Sequence, residues 1–134
     1  MTPLVPKSIA PPFAAYSHGV LCQPASMVVT SGQLGMNPDE TIPDGAQAQT
    51  EICLQAIDHI LAEAGLDRAH VVRLNAYVTD RSHMAGYMIA RDTWLDGLAN
   101  LPASTLMIVS GFTRPEFVVE VEAIAVKEIA NASS

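Results

Sequence analysis

Two carboxylates stand inside an otherwise apolar run, Phe117-Val118-Val119-Glu120-Val121-Glu122-Ala123-Ile124-Ala125-Val126. Strand alternation puts Glu120 and Glu122 on one face with Val118, Ile124 and Val126, where a charge is costly unless it meets a partner, water or ligand. Such a pair serves either structural ion pairs at an edge or interface, or acid-base chemistry on a bound small molecule. The remaining chemically capable groups form fewer patterns. None of the four imidazoles, His18, His59, His70 and His83, falls at metal-ligand spacing with another histidine or a cysteine, so no metal site is expected. His59 and Glu63 read as a solvated i,i+4 pair on a helix. His18 follows Tyr16 by two residues, which sends both rings to the same side of a strand and offers a proton shuttle near neutral pH. There is no Gly-x-Ser-x-Gly turn, no phosphate-cradling Gly-x-x-x-x-Gly-Lys and no dinucleotide-binding glycine pattern. Cys22 and Cys53 make neither a CxxC motif nor a disulfide framework and are expected as free thiols.

These residues must be held by regular elements. Pro3, Pro6, Pro11 and Pro12 make the first fifteen residues an extended arm. Residues 18–22 and 27–31 read as strands joined by Gln23-Pro24-Ala25-Ser26 into a hairpin, and residues 32–43 have the composition of a long loop. Asp44-Gly45-Ala46-Gln47 has the form of a capping box and opens a first helix, with Ala48, Ile52, Ala56, Ile60 and Ala64 at helical spacing and a stop at Gly65. Residues 71–79 alternate Val72, Leu74, Ala76 and Val78 against Arg73, Asn75, Tyr77 and Thr79, giving a strand with one polar face. A second helix over 80–98 aligns Met84, Tyr87, Met88, Arg91, Leu95 and Leu98. Strands over 105–109 and 117–127 complete an α+β order of ββαβαββ.

The chain of 134 residues is 49% hydrophobic and 16% charged, which suits one domain over residues 1–134. So few charges on so small a body, and a single sheet with helices for only one of its faces, predict cover from another subunit. A net charge of −7 repels phosphate backbones, so no nucleic-acid partner is expected. No apolar run approaches the roughly 18 residues of a membrane span, and no apolar stretch follows Lys7, so the expected location is cytoplasmic. Asn131-Ala132-Ser133 matches a glycosylation acceptor only by chance on that view.

Four segments taken in order carry a resemblance: Ala15-Tyr16-Ser17-His18-Gly19-Val20, Thr30-Ser31-Gly32-Gln33, Pro102-Ala103-Ser104-Thr105 and Val119-Glu120-Val121-Glu122-Ala123-Ile124-Ala125-Val126. Together they resemble the Rid family of imine and enamine deaminases, also called YjgF-type or L-PSP endoribonucleases. The resemblance implies a chorismate-mutase-like α+β fold, a single mixed sheet with two helices on one face. It further implies a homotrimer that binds a small molecule in inter-subunit clefts, with no metal or organic cofactor. On it, Tyr16, Ser31 and Gly32 line the cleft and Glu120 orients the hydrolytic water, with Tyr16 and Glu120 as the catalytic pair. The deaminase members carry Pro-Ala-Arg at the start of the strand, whose guanidinium clamps the substrate carboxylate. This chain has Pro102-Ala103-Ser104 there, and a hydroxyl does not replace a bidentate charged clamp. Arg91, near where the family commonly places a cleft-bordering Asn, and Arg114 are the candidates to compensate, and His18 and Ser104 complete the expected substrate-binding set. Without its clamp the chain reads either as a hydrolase of an imine, enamine or related metabolite, or as a non-catalytic ligand-binding or chaperone-like trimer. Endoribonuclease action fits poorly with the net charge.

Overall fold

A computed structural model describes residues 1–130, so the Asn131 acceptor triplet lies outside the described residues. The elements in chain order are β1 (Thr2–Leu4), β2 (Gly19–Leu21), β3 (Pro24–Val29), β4 (Gln33–Leu34), α1 (Ala46–Glu63), β5 (Val71–Val78), α2 (Met84–Leu95), β6 (Ala103–Ile108) and β7 (Val119–Glu128). Single 3-10 turns, Arg68–His70 and Arg81–His83, precede β5 and α2. The main sheet runs β3-β7-β5-β6, with β4 beside β7 on the β3 edge. Its β5–β6 pair is parallel and its other pairs are antiparallel, so the sheet is mixed. A parallel pair needs a crossover, and α2 supplies it.

Both helices pack on one face of this sheet. Cys53, Leu54, Ile57 and Leu61 of α1 and Tyr87, Trp94 and Leu95 of α2 meet Leu74, Ala76 and Val78 of β5 and Val119, Val121, Ala123 and Ala125 of β7. Truncating any one of the buried leucines to alanine is expected to cost about 2–5 kcal/mol. Asp58 accepts from Trp94 Nε1 at 3.1 Å and from Arg68 Nη2 at 2.7 Å, while the Arg68 guanidinium lies 5.1 Å from the Trp94 ring centre. That cluster ties α1, α2 and the first 3-10 turn together.

Several local expectations need correction. Residues 18–31 do not form a hairpin: β2 pairs with β1, whereas β3 crosses to the main sheet and sets Met27 opposite Val126. The apolar Met27-Val28-Val29 run finds a longer partner in β7 than the three residues of β2 offer, and part of the proline-rich arm becomes β1. Asp44 makes no capping bond. Gly45, at φ 93°, takes the N-cap place, and only glycine enters that region without strain. The buried face of α1 is also turned by one residue from the Ala48-Ile52-Ala56-Ile60 row, to Ala46, Gln49, Thr50, Cys53, Leu54, Ile57 and Leu61. Two polar members of that face, each bonded to backbone, disguise it. Within β5 an irregularity between Val71 and Arg73 buries Val71 in place of Val72.

Among the described residues, most of the face away from the helices is left uncovered, Val126 near its end being buried. It carries Arg73, Asn75, Tyr77, Glu120, Glu122 and Ile124, with Met27, Val29 and Met107 exposed at 60%, 63% and 52%.

Candidate functional site

Glu120 stands on that uncovered face, in the row where it pairs with Tyr77 of β5 and Leu34 of β4. The segment that reaches over it is tightly fixed. Thr30 donates its N–H to the Ala123 carbonyl and accepts the Ala123 N–H on Oγ1, both at 3.0 Å, and three residues later β4 joins β7. Gly32 between these anchors therefore passes directly across the Glu120 side chain: a Cβ on Gly32 would lie 2.5 Å from Glu120 Cδ. Only a residue without a side chain lets the backbone lie against that carboxyl. Ser31 beside it is exposed, and its carbonyl accepts from Gln33 Nε2.

Burial first, and the charge of Glu122 second, raise the pKa of Glu120 above the ordinary carboxylate value. The neighbouring carboxylate is differently placed, because Tyr77 Oη donates a short hydrogen bond to Glu122. That bond, followed by burial and the carboxylate charges, raises the Tyr77 pKa. Arg73 bonds Asn75 and Thr105 on the same face. Cys53, on the helix side, is an inert thiol, its pKa pushed up to about 12 chiefly by burial.

A second group gathers at the outer edge of β6. Ser17 donates through Oγ to the Leu101 carbonyl at 2.7 Å and through N to the Pro102 carbonyl at 3.0 Å, pinning the Tyr16 segment to the start of β6. Tyr16, Ser104 and Arg91 line one cavity of about 420 Å³ with Phe13, Met84, Met88 and Leu106. Arg91 is buried in α2, its guanidinium 5.5 Å from the Tyr87 ring centre. Tyr87 is fully buried and its hydroxyl lacks a hydrogen-bond partner. Burial raises its pKa; Arg91 and Ser104 are near enough to oppose that shift without reaching hydrogen-bond geometry. His18 packs edge-on to Tyr16, with ring centres 5.9 Å apart, and its Nε2 meets the Ala10 carbonyl at 2.6 Å. A carbonyl only accepts, so the proton of the neutral ring sits on Nε2 and Nδ1 is left as the acceptor.

The expected site residues thus fall into two groups within one chain. Tyr16, Arg91 and Ser104 share the cavity, with His18 edge-on to Tyr16; Ser31, Gly32 and Glu120 share the uncovered face. Ser104 faces the helices and pairs with Leu74, whereas Glu120 faces away and pairs with Tyr77, so the two lie on opposite sides of the sheet and about 14 Å apart within it. Arg114 joins neither group and lines a separate cavity with Phe112 and Phe117. Ser17, Thr30 and Tyr87 are the positioning residues that reading the sequence did not single out. The first two lie inside the quoted segments, while Tyr87 shows only as one member of an apolar helix face. Among the described residues, no three or more His, Cys, Asp or Glu side chains gather as a metal site would need, and no helix is long and apolar enough to cross a membrane.

Comparison with known proteins places this arrangement. The family model described as Endoribonuclease L-PSP matches residues 7–127. Protein DfrA of Myxococcus xanthus is 32% identical over 123 residues, which span 90% of this chain and 88% of that protein. Among solved structures, the Rid-family protein YyfB from Yersinia pestis superposes with a TM-score of 0.82 at 27% identity, covering 93% of this chain and 97% of that one. TdcF from E. coli, solved with bound serine, gives 0.72 at 28% identity over 92% of this chain and 94% of that one.

Proposed function

Because this chain belongs to the Endoribonuclease L-PSP family, which includes proteins named Rid and YjgF, we propose that it hydrolyses an imine, enamine or related carbonyl-derived metabolite in a cleft between subunits of a cytoplasmic homotrimer. The observation that carries this reading is Glu120: a carboxyl of raised pKa against the bare backbone of Gly32, on a sheet face that the described residues leave largely uncovered. In its ionised form Glu120 accepts a proton from water as the water oxygen bonds to the imine carbon. The nitrogen takes up protons as the carbon–nitrogen bond breaks, so that imine and water become carbonyl and ammonia. Backbone N–H groups beside Gly32, with Ser31 and Tyr16, hold the substrate and the developing charge. A cleft between subunits would bring the Tyr16 group of one chain to the Glu120 group of the next. No step calls on a metal or organic cofactor. Two free cysteines suit a reducing compartment.

Glu120→Gln tests the reading. Turnover of enzymatically generated imines, followed by semicarbazide trapping, should vanish in a folded variant, whereas Glu122→Gln should chiefly affect assembly or stability. An active Glu120→Gln protein would overturn the assignment. One observation favours a second reading, a non-catalytic binder of small ligands: position 104 carries a hydroxyl and no charge. A wild-type trimer that binds ligand but accelerates no imine hydrolysis would select it. RNA cleavage is not proposed, because a net charge of −7 opposes a phosphate backbone.

A further inference from the structure

We propose that Arg91 is the carboxylate clamp of this protein, and that the cavity around it selects carboxylates with a bulky apolar end over small polar ones. The clamp deepens the reading above, since it would hold the same substrate that Glu120 acts on, but the binding it predicts needs no turnover.

The argument starts from a charge in an unusual place. The Arg91 side chain is only 4% exposed, and burying a guanidinium is unfavourable unless its donors are met. Its Nε and Nη2 both donate to a single oxygen, Oδ1 of Asp92, at 3.1 and 3.0 Å. Asp92 is itself 54% exposed, so its charge is shared with solvent. A guanidinium carries five N–H donors in a planar fork, and one oxygen of a solvated neighbour leaves that fork under-used. Below the guanidinium lies Tyr87, fully buried, with a hydroxyl that has no partner. Ser104 adds a neutral hydroxyl to the same cavity. Buried polar groups in folded proteins are nearly always satisfied. Arg91 and Ser104 both line the cavity, and a ligand carboxylate fits that pairing of cation and hydroxyl.

Position 104 fits the same account. An arginine at both 91 and 104 would place two cations in one cavity, so the serine leaves room for the guanidinium on α2. Moving the cation from strand to helix also changes what surrounds it. Met84, Met88 and Arg91 stand at helical spacing on α2, and Phe13 and Leu106 complete an apolar wall. Methionine side chains adapt to varied apolar shapes, and a cavity of about 420 Å³ has room for a branched or aromatic tail. Serine, seen bound to TdcF, lacks such a tail.

Calorimetric titration of the intact protein with 3-phenylpropanoate, its uncharged amide and L-serine tests the proposal, using wild type, Arg91→Lys and Arg91→Met. The acid should bind about ten- to a hundredfold more tightly than the amide, because charge-assisted bonds are lost with the charge, and more tightly than serine. Arg91→Met should erase the preference for acid over amide. Arg91→Lys should keep part of it, since the cation stays but the fork is gone. Equal binding of acid and amide by wild type overturns the proposal whether or not Arg91→Met folds. So does tighter binding of serine, or an unchanged preference in folded Arg91→Met. Failure of all three ligands to bind, with Arg91→Met altering the oligomeric state, would mean that a neighbouring subunit fills the cavity, and would overturn it too. Arg91-dependent acid binding in a protein whose Glu120→Gln variant still turns over would leave the clamp standing and remove only the role given to Glu120.

Discussion

Glu120 and Glu122 differ by two positions in sequence and by one hydrogen bond in space: Tyr77 bonds Glu122, while burial and the Glu122 charge act on Glu120. A raised pKa means that the folded state favours the neutral acid. Glu120 therefore supports folding below its ordinary pKa of 4.5 and weighs against it as the pH climbs through the folded value. Glutamine removes that dependence, so Glu120→Gln should melt above wild type at pH 7, with the difference closing below pH 4.5. Calorimetry across that range checks it; a folded variant that melts no higher at pH 7 would contradict the burial argument. For catalysis the sign is opposite, because the ionised form is the base, and activity should fall as the pH drops through the raised value. Gly32→Ala makes a companion case. Its Cβ would press on the end of a flexible side chain, at 2.5 Å from Glu120 Cδ, so the carboxyl must move while the fold gives way by only about 1 kcal/mol. Turnover and melting measured together should show lost activity at nearly full stability.

Among the elements, α1 shows how polar residues can occupy a core. Gln49 donates its amide to the Pro43 and Glu116 carbonyls at 2.9 and 2.8 Å and accepts the Val118 N–H at 3.0 Å. One side chain thus closes the loop before α1 onto the start of β7. Gln49→Leu keeps roughly the volume and abandons three backbone groups, and should cost about 2–4 kcal/mol in urea unfolding; a loss under half of that would show that water replaces the amide. The same residue explains why periodicity misplaced the buried face of this helix. Apolar spacing found Ala48, Ile52, Ala56 and Ile60, because a glutamine and a threonine in the true face look like solvent positions until their backbone partners are seen. The strands β5 and β7 were legible for the converse reason: their buried residues are apolar and alternate, apart from the irregularity at Val71 and the adjacent buried pair Ala125 and Val126.

For the whole molecule, the uncovered sheet face is the dominant feature. It exposes Met27, Val29 and Met107 around the Glu120–Tyr77–Glu122 group, and apolar patches of this kind mark contact surfaces. We expect sedimentation equilibrium to give a trimer of the 14.2 kDa chain, and Val29→Lys to dissociate it by placing a charge in the interface. A monomeric wild type at micromolar concentration would remove both the trimer and the shared cleft. Activity should fall with the trimer, since Ser104 and Glu120 lie on opposite faces of one sheet.

The order of local chemistry along the chain determined a good deal by itself: two helices, the alternating strands β5 and β7, an α+β class, and the segments that place the chain in its family. Those features rest on near-neighbour physics, the period of a side-chain pattern and the steric habits of proline and glycine, which act without regard to the rest of the fold. Tertiary structure alone decided which strand β3 would join, how α1 would turn toward the sheet, and that Arg91 and Ser104 share a cavity while Glu120 stands on the far side. Strand pairing and burial are settled between residues far apart in sequence, by whichever partner covers the most apolar surface and leaves the fewest backbone groups unpaired.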